Sequence, residues 1–200
     1  MKKGLLLGLG IAIHAQAGSL PALSDQDAWS EQSFVGNSQY QIVDGVLLGQ
    51  ANASASALGV ELDIEPDQRL SWRWAVEQLP HLGGHSEQSK SGDDFGARVY
   101  VVRKGSFGLL STQSLVYVWS QSQPPGTLWP SPYTSKVMMM AVQPESFQLG
   151  DWYGVERDLA ADWQAAFGKT LDGLDGVALM VDADNTQSQA RARFDQLQLR

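Results

Sequence analysis

The chain contains no cysteine. Without thiols it has no disulfide framework and no thiolate ligands for zinc, and cysteine-dependent catalysis is excluded. Beyond its first residues it also lacks a G-x-S-x-G elbow, a phosphate-binding loop and a dinucleotide-binding glycine pattern. These absences argue against the common serine hydrolases and nucleotide-binding enzymes.

Positive charge is scarce, with 14 Lys and Arg against 22 Asp and Glu and a net charge of −8. Such an acidic chain is a poor partner for nucleic acid or for an anionic membrane surface. After residue 13 the sequence has no apolar run long enough to span a bilayer.

The first 17 residues have the pattern of a secretory signal peptide. Lys2 and Lys3 precede an apolar run over residues 4–13, which is too short to cross a bilayer, and Ala15 and Ala17 form a small-x-small cleavage site. We therefore expect a signal peptide over residues 1–17, export to the periplasm and a single mature domain over residues 18–200. An uncleaved membrane anchor is the alternative.

Most of the remaining chain alternates between apolar and polar residues in short stretches. In "RLSWRWAV" (residues 69–76), Leu70, Trp72, Trp74 and Val76 share one face, as in a half-buried strand. "DG" at residues 44–45 separates two such stretches and is a strong hairpin signal. About ten strands of this kind are predicted.

One helix is predicted, over about residues 158–167. Leu159, Trp163 and Phe167 repeat at helical spacing, Asp158 suits the N-cap and Gly168 suits the C-terminal stop. Because helices between the strands are missing, a parallel α/β fold is excluded. The expected fold is all-β, an antiparallel two-sheet jelly-roll sandwich with one short surface helix.

The stretch "KSGDDFGARVYVV" (residues 90–102) places charge at the mouth of an apolar strand. A buried Arg98 costs several kcal/mol unless it is paired. If the strand already runs at Asp94, Asp94 and Arg98 share a face. A structural ion pair and a ligand-facing site built with Lys90 and Asp93 both fit this pattern.

A second acidic cluster lies in "VDADNTQSQAR" (residues 181–191), where Asp182 and Asp184 point the same way if the strand continues. The two carboxylates and Asn185 fit acid/base work on a glycosidic bond, a loop calcium on Asp182 and Asp184, or ordinary turn capping. An EF-hand is excluded, because Gln187 stands where glycine is required and Arg193 where the closing glutamate belongs.

The third group of charges comprises Glu156, Arg157 and Asp162, at the start of the predicted helix. These residues fit either a solvated face or one wall of a groove. His81 and His85 lack a third ligand and are separated by a flexible Gly-Gly pair, so a histidine metal site is not expected.

Seven tryptophans are many for this length. Trp72, Trp74 and Trp163 have core spacing, whereas Trp119 ends a strand and Trp129 and Tyr133 lie in a proline-rich loop. Aromatic rings beside carboxylates suit a sugar-binding surface, but the same three rings also suit a plug for the open ends of the sandwich.

Taken in order, "LSWRWAV", "KSGDDFGARVYVV", "LVYVW", "WPSPYT", "ERDLAADWQAAFG" and "GVALMVDADNT" resemble the DUF3047 family of exported bacterial proteins of unknown function, over about residues 34–199. The resemblance implies no reaction. The matching positions are Lys90, Asp93, Asp94, Arg98, Trp119, Tyr133, Glu156, Arg157, Asp162, Asp182, Asp184 and Asn185.

By pattern, members resemble jelly-roll modules that bind carbohydrate, so a module binding a saccharide or a similar polar ligand is the leading hypothesis. A glycan-active hydrolase or lyase and a structural or partner-binding envelope protein are the alternatives. The hypotheses differ in geometry, because an enzyme or a tight binding site requires the three charged segments to converge in one pocket.

Overall fold

The computed structural model describes residues 19–105 and 108–200, with the backbone only at residues 108–110. The predicted signal peptide lies outside the described residues. The described elements, in chain order, are a short 3₁₀ turn (Gln26–Ala28), β1 (Ser30–Val35), β2 (Gln39–Val43), β3 (Val46–Asn52), β4 (Ala55–Ile64), β5 (Arg69–Gln78), β6 (Arg98–Gly105), β7 (Gly108–Val118), β8 (Leu128–Ser131), β9 (Thr134–Ala141), β10 (Tyr153–Asp158), α1 (Leu159–Phe167), β11 (Leu174–Asp182) and β12 (Gln189–Leu199).

Two sheets form the sandwich. The seven-stranded sheet has the order β1-β4-β11-β6-β7-β9-β8 and the five-stranded sheet has the order β10-β5-β12-β3-β2. The predicted two-sheet jelly-roll sandwich is confirmed. One strand pair departs from the antiparallel expectation, since β7 and β9 run parallel.

The core between the sheets is aromatic. Trp72, Trp74 and Trp163 are almost fully buried, as their spacing predicts. Trp72 and Trp74 lie edge to face with ring centroids 5.4 Å apart, an arrangement that adds to the free energy of burying their apolar area. Phe194 of β12 completes this part of the core.

Local signals in the sequence set two boundaries correctly. Asp44 and Gly45 both have positive φ, 52° and 78°, which is the conformation of a type I′ hairpin turn. The Asp158 side chain accepts a hydrogen bond from the Ala161 N–H at 3.0 Å at the start of α1, and Gly168 ends the helix in the left-handed region.

The described part of the chain has twelve strands, against the predicted ten or so, and β1, β8 and β10 are the ones that the alternating pattern does not mark clearly. All three lie at a sheet edge, where a strand needs only one hydrogen-bonded neighbour and the sequence pattern is weak. β8 even contains Pro130, which an edge strand tolerates because one row of its N–H groups has no ladder partner. Among the described residues, no helix is both long and apolar enough to cross a membrane.

Candidate functional site

Arg98 is the first residue of β6, in the seven-stranded sheet. With Tyr100 and Val102 it points away from the five-stranded sheet, onto a face that carries a second apolar cluster including Met139 and Met180. We call this the outer face. Although its side chain carries a full charge, Arg98 is only 4% exposed.

The guanidinium of Arg98 is held by two acidic residues. Its Nε donates to Asp182 Oδ1 at 2.7 Å and its Nη2 donates to Asp182 Oδ2. Nη2 also donates to the backbone carbonyl of Asp93 at 2.6 Å, and Nη1 lies 3.5 Å from the Asp93 carboxylate. The Phe95 ring covers the guanidinium, with its centroid 4.5 Å from Cζ.

Strand pairing brings these groups together. β11 pairs with β6 so that Met180 faces Arg98, and Asp182 follows two residues later at the end of β11. The condition under which Asp94 would share the face of Arg98 is not met, because β6 begins at Arg98 and Asp94 lies in the preceding loop.

Asp94 has another role, as the acceptor that joins two loops. Its buried carboxylate accepts from the Asn185 N–H at 3.1 Å and the Asn185 side-chain amide at 3.1 Å. It also accepts from the Thr186 N–H at 2.7 Å and the Thr186 hydroxyl at 2.6 Å. The loops around residues 93–95 and 184–186 are therefore fastened to each other above Arg98.

The site holds more carboxyl groups than cations. Burial raises the pKa of Asp182 to about 8, against the opposing effect of the Arg98 charge and its hydrogen bond. Burial also raises the pKa of Asp93 and of Asp184. Because these acids share the one guanidinium of Arg98, the group has an increased affinity for protons.

The predicted metal ligands, Asp182 and Asp184, lie close together. With Asp94 they form the one group of three acidic or histidine residues that could hold a metal within the described part of the chain, with one oxygen of each inside 4.8 Å of the others. However, both oxygens of Asp182 contact Arg98 and both oxygens of Asp94 accept loop hydrogen bonds. A cation would have to compete with these donors, so we assign no metal site.

Above the buried group lies a more exposed set of polar residues, Lys90, Tyr133, Asp184 and Asn185, which we call the polar rim. Tyr133 is 39% exposed, and its hydroxyl donates to Asn185 Oδ1 at 2.5 Å. The Lys90 ammonium lies 5.3 Å from the centroid of the Tyr133 ring. Partial burial, with smaller contributions from nearby acids, raises the pKa of Tyr133 to about 12, so its hydroxyl keeps its proton at neutral pH.

The third charged segment makes different contacts. Glu156 accepts from Arg69 Nε at 2.7 Å on an exposed surface. Arg157 pairs with Asp162, Nε to Oδ2 at 2.7 Å, and the Tyr117 hydroxyl donates to the same carboxylate at 3.0 Å. Two of the three predicted segments therefore converge, and the third forms its own ion pairs beside α1.

Two of the three candidate stacking rings are buried. Trp119 is fully buried and packs edge to face on Trp74 and Phe147, at 5.6 and 5.0 Å. Trp129 is 4% exposed and lies 6.3 Å from Phe95. An exposed ligand-stacking role for these two rings is wrong, and Tyr133 alone of the three has an exposed ring.

Sequence reasoning missed some of the supporting residues. Thr186 and Phe95 complete the buried group, and neither carries a motif that would single it out. Glu87 is a fully buried carboxylate that accepts from the Gln121 N–H at 2.7 Å and the Ser122 hydroxyl at 2.6 Å. Glu87 lies in a loop rich in polar residues, so nothing in the sequence indicates that this particular acid is buried.

The fold and the site together define a β-sandwich protein with a buried acid–arginine group beneath a polar rim. A model of the family described as "Protein of unknown function (DUF3047)" matches residues 27–198. The chain belongs to this family. No curated protein matches it.

Solved structures resemble this chain in fold. The xyloglucanase domain of NopAA, a type three effector from Sinorhizobium fredii, in complex with cellobiose, has a TM-score of 0.51 at 9% identity, with 94% of this chain and 99% of that chain covered. A cellulase derived from Cel12A of Rhodothermus marinus has a TM-score of 0.41 at 10% identity, covering 86% and 99%. The carbohydrate recognition domain of Emp47p has a TM-score of 0.40 at 14% identity, covering 90% and 93%. At 9% identity, the likeness to the xyloglucanase domain shows a shared fold and does not by itself indicate a shared function.

Proposed function

We propose that this protein is an exported, periplasmic binding module that takes a saccharide at the polar rim. The observation that carries the proposal is the convergence of two segments about 90 residues apart, where Asn185 contacts both Asp94 and Tyr133. The signal peptide expected from the sequence at residues 1–17 supports the compartment. The ligand class is supported by one fold relative, a xyloglucanase domain in complex with cellobiose.

The rim offers the groups that a sugar uses. The exposed part of the Tyr133 ring can stack on the C–H face of a pyranose. Beside it, Asp184 supplies a carboxylate acceptor and Asn185 an amide, both partly buried, and Lys90 supplies an ammonium donor. Because Asn185 is held by Asp94 and by Tyr133, its orientation is fixed before a ligand arrives, which lowers the entropic cost of binding.

The same contacts favour binding over glycoside hydrolysis. A hydrolytic site needs two carboxyl groups that both reach the scissile bond. Here Asp182 is 1% exposed and Asp94 is completely buried, and both are engaged by donors of the protein itself. They support the rim from beneath.

A thermal-shift screen against oligosaccharides tests this proposal. A ligand at 100 times its dissociation constant should stabilise the fold by about 2.7 kcal/mol. Since sugars also stabilise proteins by exclusion from the surface, sorbitol at the same concentration is the control. A shift specific to one glycan type at millimolar concentration supports the proposal, and identical shifts for every sugar and sorbitol contradict it.

A further inference from the structure

In the described part of the chain the two sheets present four edge strands, β1 and β8 in the seven-stranded sheet and β10 and β2 in the five-stranded sheet. An edge strand has one row of backbone N–H and C=O groups without a ladder partner, so another chain can pair with it. Charged side chains, proline and bulges along an edge prevent such pairing. The four edges differ in how many of these features they carry.

Three of the edges carry at least one such feature. β1 contains Glu31 and has an irregular register between Ser33 and Val35. β8 is only four residues long and contains Pro130. β10 ends in three consecutive charged residues, at positions 156–158. Each of these strands is therefore a poor template for another chain.

The edge strand β2 is different. Its sequence, "QYQIV" (residues 39–43), contains no charge and no proline, and its register with β3 is regular over its whole length. The outward side chains of Gln39, Gln41 and Val43 are exposed, and Val43 is one of the large apolar residues with the greatest exposure, at 42%. In the described chain β2 is the one edge that lacks protection against pairing.

The hairpin turn fixes which backbone groups of β2 point outward. Val43 pairs with Val46 across the tight type I′ turn, so these two residues exchange hydrogen bonds. Hydrogen-bonded pairs then recur at every second residue along the strand. The N–H and C=O groups of Tyr40 and Ile42 therefore point away from β3, to the side where no described strand pairs with β2.

The strand β2 is held in its extended conformation by side-chain contacts. The Tyr40 hydroxyl donates to the Ser56 carbonyl at 2.6 Å. Just before the strand, the Ser38 N–H donates to the Ser56 hydroxyl at 2.8 Å. Both bonds tie β2 to β4 of the opposite sheet. Because this edge is already ordered, it loses little conformational entropy when a second strand joins it.

We propose that β2 is a dimerisation edge, at which a second copy of this chain adds its own β2 in antiparallel orientation about a two-fold axis at Gln41. Tyr40 of each copy exchanges backbone hydrogen bonds with Ile42 of the other, so the outward-pointing groups of the strand all gain partners. The two five-stranded sheets become one continuous sheet. Because both copies use the same surface, the assembly closes as a dimer.

A second copy fits this edge because the strand is complementary to itself. In the proposed register Gln41 lies opposite Gln41 of the other copy, and Gln39 lies opposite Val43, so no like charges meet. The nearest charged residue, Asp44, lies opposite Ser38. Since the whole chain has a net charge of −8, two copies repel each other at long range, and added salt strengthens the dimer by screening this repulsion.

The absence of cysteine from the chain allows a test of the register with single-cysteine variants. At the axis, the two copies of residue 41 form a pair without hydrogen bonds, with Cα atoms about 4.5 Å apart, and a disulfide can span this distance. Gln41→Cys should therefore give a covalent dimer in oxidised glutathione. Gln39→Cys is the matched control, because residue 39 lies roughly 14 Å along the strand from its own copy, and it should stay uncross-linked.

Sedimentation equilibrium of the chain without residues 1–17 measures the dimer in the absence of a cross-link. The wild type should dimerise at submillimolar concentration, and more strongly as salt is added. Gln41→Lys places two ammonium groups opposite each other at the axis and should weaken the dimer at least tenfold. Gln164→Lys makes the same change of charge at an exposed position of α1 and should dimerise like the wild type.

Three results would overturn the proposal. The first is a wild-type chain that stays monomeric at every salt concentration, including one that pairs only with an extended peptide of another protein. The second is equal cross-linking of Gln41→Cys and Gln39→Cys, which indicates random collision without a fixed register. The third is a Gln41→Lys variant that is folded by circular dichroism and dimerises like the wild type, since the interface then lies elsewhere.

Discussion

Two arginine–aspartate pairs in this protein have the same chemistry and different surroundings. Arg157 and Asp162 form a one-to-one pair, and the Tyr117 hydroxyl also donates to the Asp162 carboxylate. Arg98 and Asp182 form a similar two-point pair, but Asp93 and Asp184 add further carboxyl groups around it. The first pair lies beside α1 and has one arginine for one aspartate. The second pair lies beneath the polar rim, in a group that has more carboxyl groups than cations.

The comparison shows what separates a structural ion pair from a candidate site. Both arginines satisfy buried carboxylates, so pairing alone does not distinguish them. The Arg98 group differs in its excess of acid and in the way that it fastens two distant loops. The joined loops hold the polar side chains of the rim in place at the surface. The Arg157–Asp162 pair beside α1 joins no such loops.

The largest expected effect concerns the two arginines. Arg98→Met should lower the free energy of unfolding by about 3–5 kcal/mol, because it removes one partner of a buried pair and leaves Asp182 and the Asp93 carbonyl without the guanidinium donors. Arg157→Met should cost less, about 1.5–3 kcal/mol, because Arg157 is partly exposed and water can replace it. Urea denaturation of both variants measures the difference, and equal losses would remove the distinction between the two pairs.

The acid surplus predicts a decline in stability as pH rises. The pKa of Asp182 is raised in the folded state from 3.8 to about 8. Its contribution is therefore fully present below about pH 4 and is lost as pH rises toward about 8. Unfolding free energies measured across this range should fall for the wild type, on top of the contributions of other groups.

Asp182→Asn isolates that contribution, since asparagine cannot titrate. The variant should show a shallower decline over the same range of pH. If the unfolding free energy of the wild type and of the variant fell with the same slope, Asp182 would be ionised over the whole pH range. Its pKa would then not be raised in the folded state.

A smaller loss of stability is expected when one of the hydrogen bonds by which Asp94 joins the two loops is removed. Thr186→Val removes one hydroxyl that donates to Asp94 at 2.6 Å and should cost about 1–2 kcal/mol, because a buried acceptor loses one of its donors. Thr170→Val, at an exposed position, is the matched control and should change stability by less than about 0.5 kcal/mol. Thermal melts of the two variants side by side would show the difference, and equal costs would mean that the hydroxyl contributes little.

Calcium should have the smallest effect. Because Arg98 and the loop amides already contact Asp182 and Asp94, added calcium has few free lone pairs to bind. We expect the melting temperature to be the same in millimolar calcium and in a chelator. A calcium-dependent rise that disappears in Asp184→Asn would instead establish a cation site at these acids.

The sequence predicts some parts of this account well and others poorly, for physical reasons. The alternation around Trp72 and Trp74 and the capping residues Asp158 and Gly168 are local signals, and the structure confirms them. The partner of Arg98 could not be read locally, because Asp182 is 84 residues away and reaches it only through the register of β6 and β11.

Exposure was the other quantity that the sequence could not supply. Trp119 and Tyr133 both follow or lie near strand ends in polar surroundings, yet one ring is in the core and the other is exposed. Which ring is covered depends on Trp74 and Phe147, residues from other parts of the chain. Local pattern therefore located the candidate segments but could not rank their aromatic residues.

The most direct test of the rim is a calorimetric titration with the oligosaccharide that gives the largest specific thermal shift. Tyr133→Ala should weaken its affinity at least tenfold, or about 1.4 kcal/mol, because the exposed ring and its hydrogen bond to Asn185 are lost. Leu149→Ala, at another exposed apolar position, should bind like the wild type. Unchanged affinity in a folded Tyr133→Ala variant would contradict the proposal that the saccharide binds at the rim.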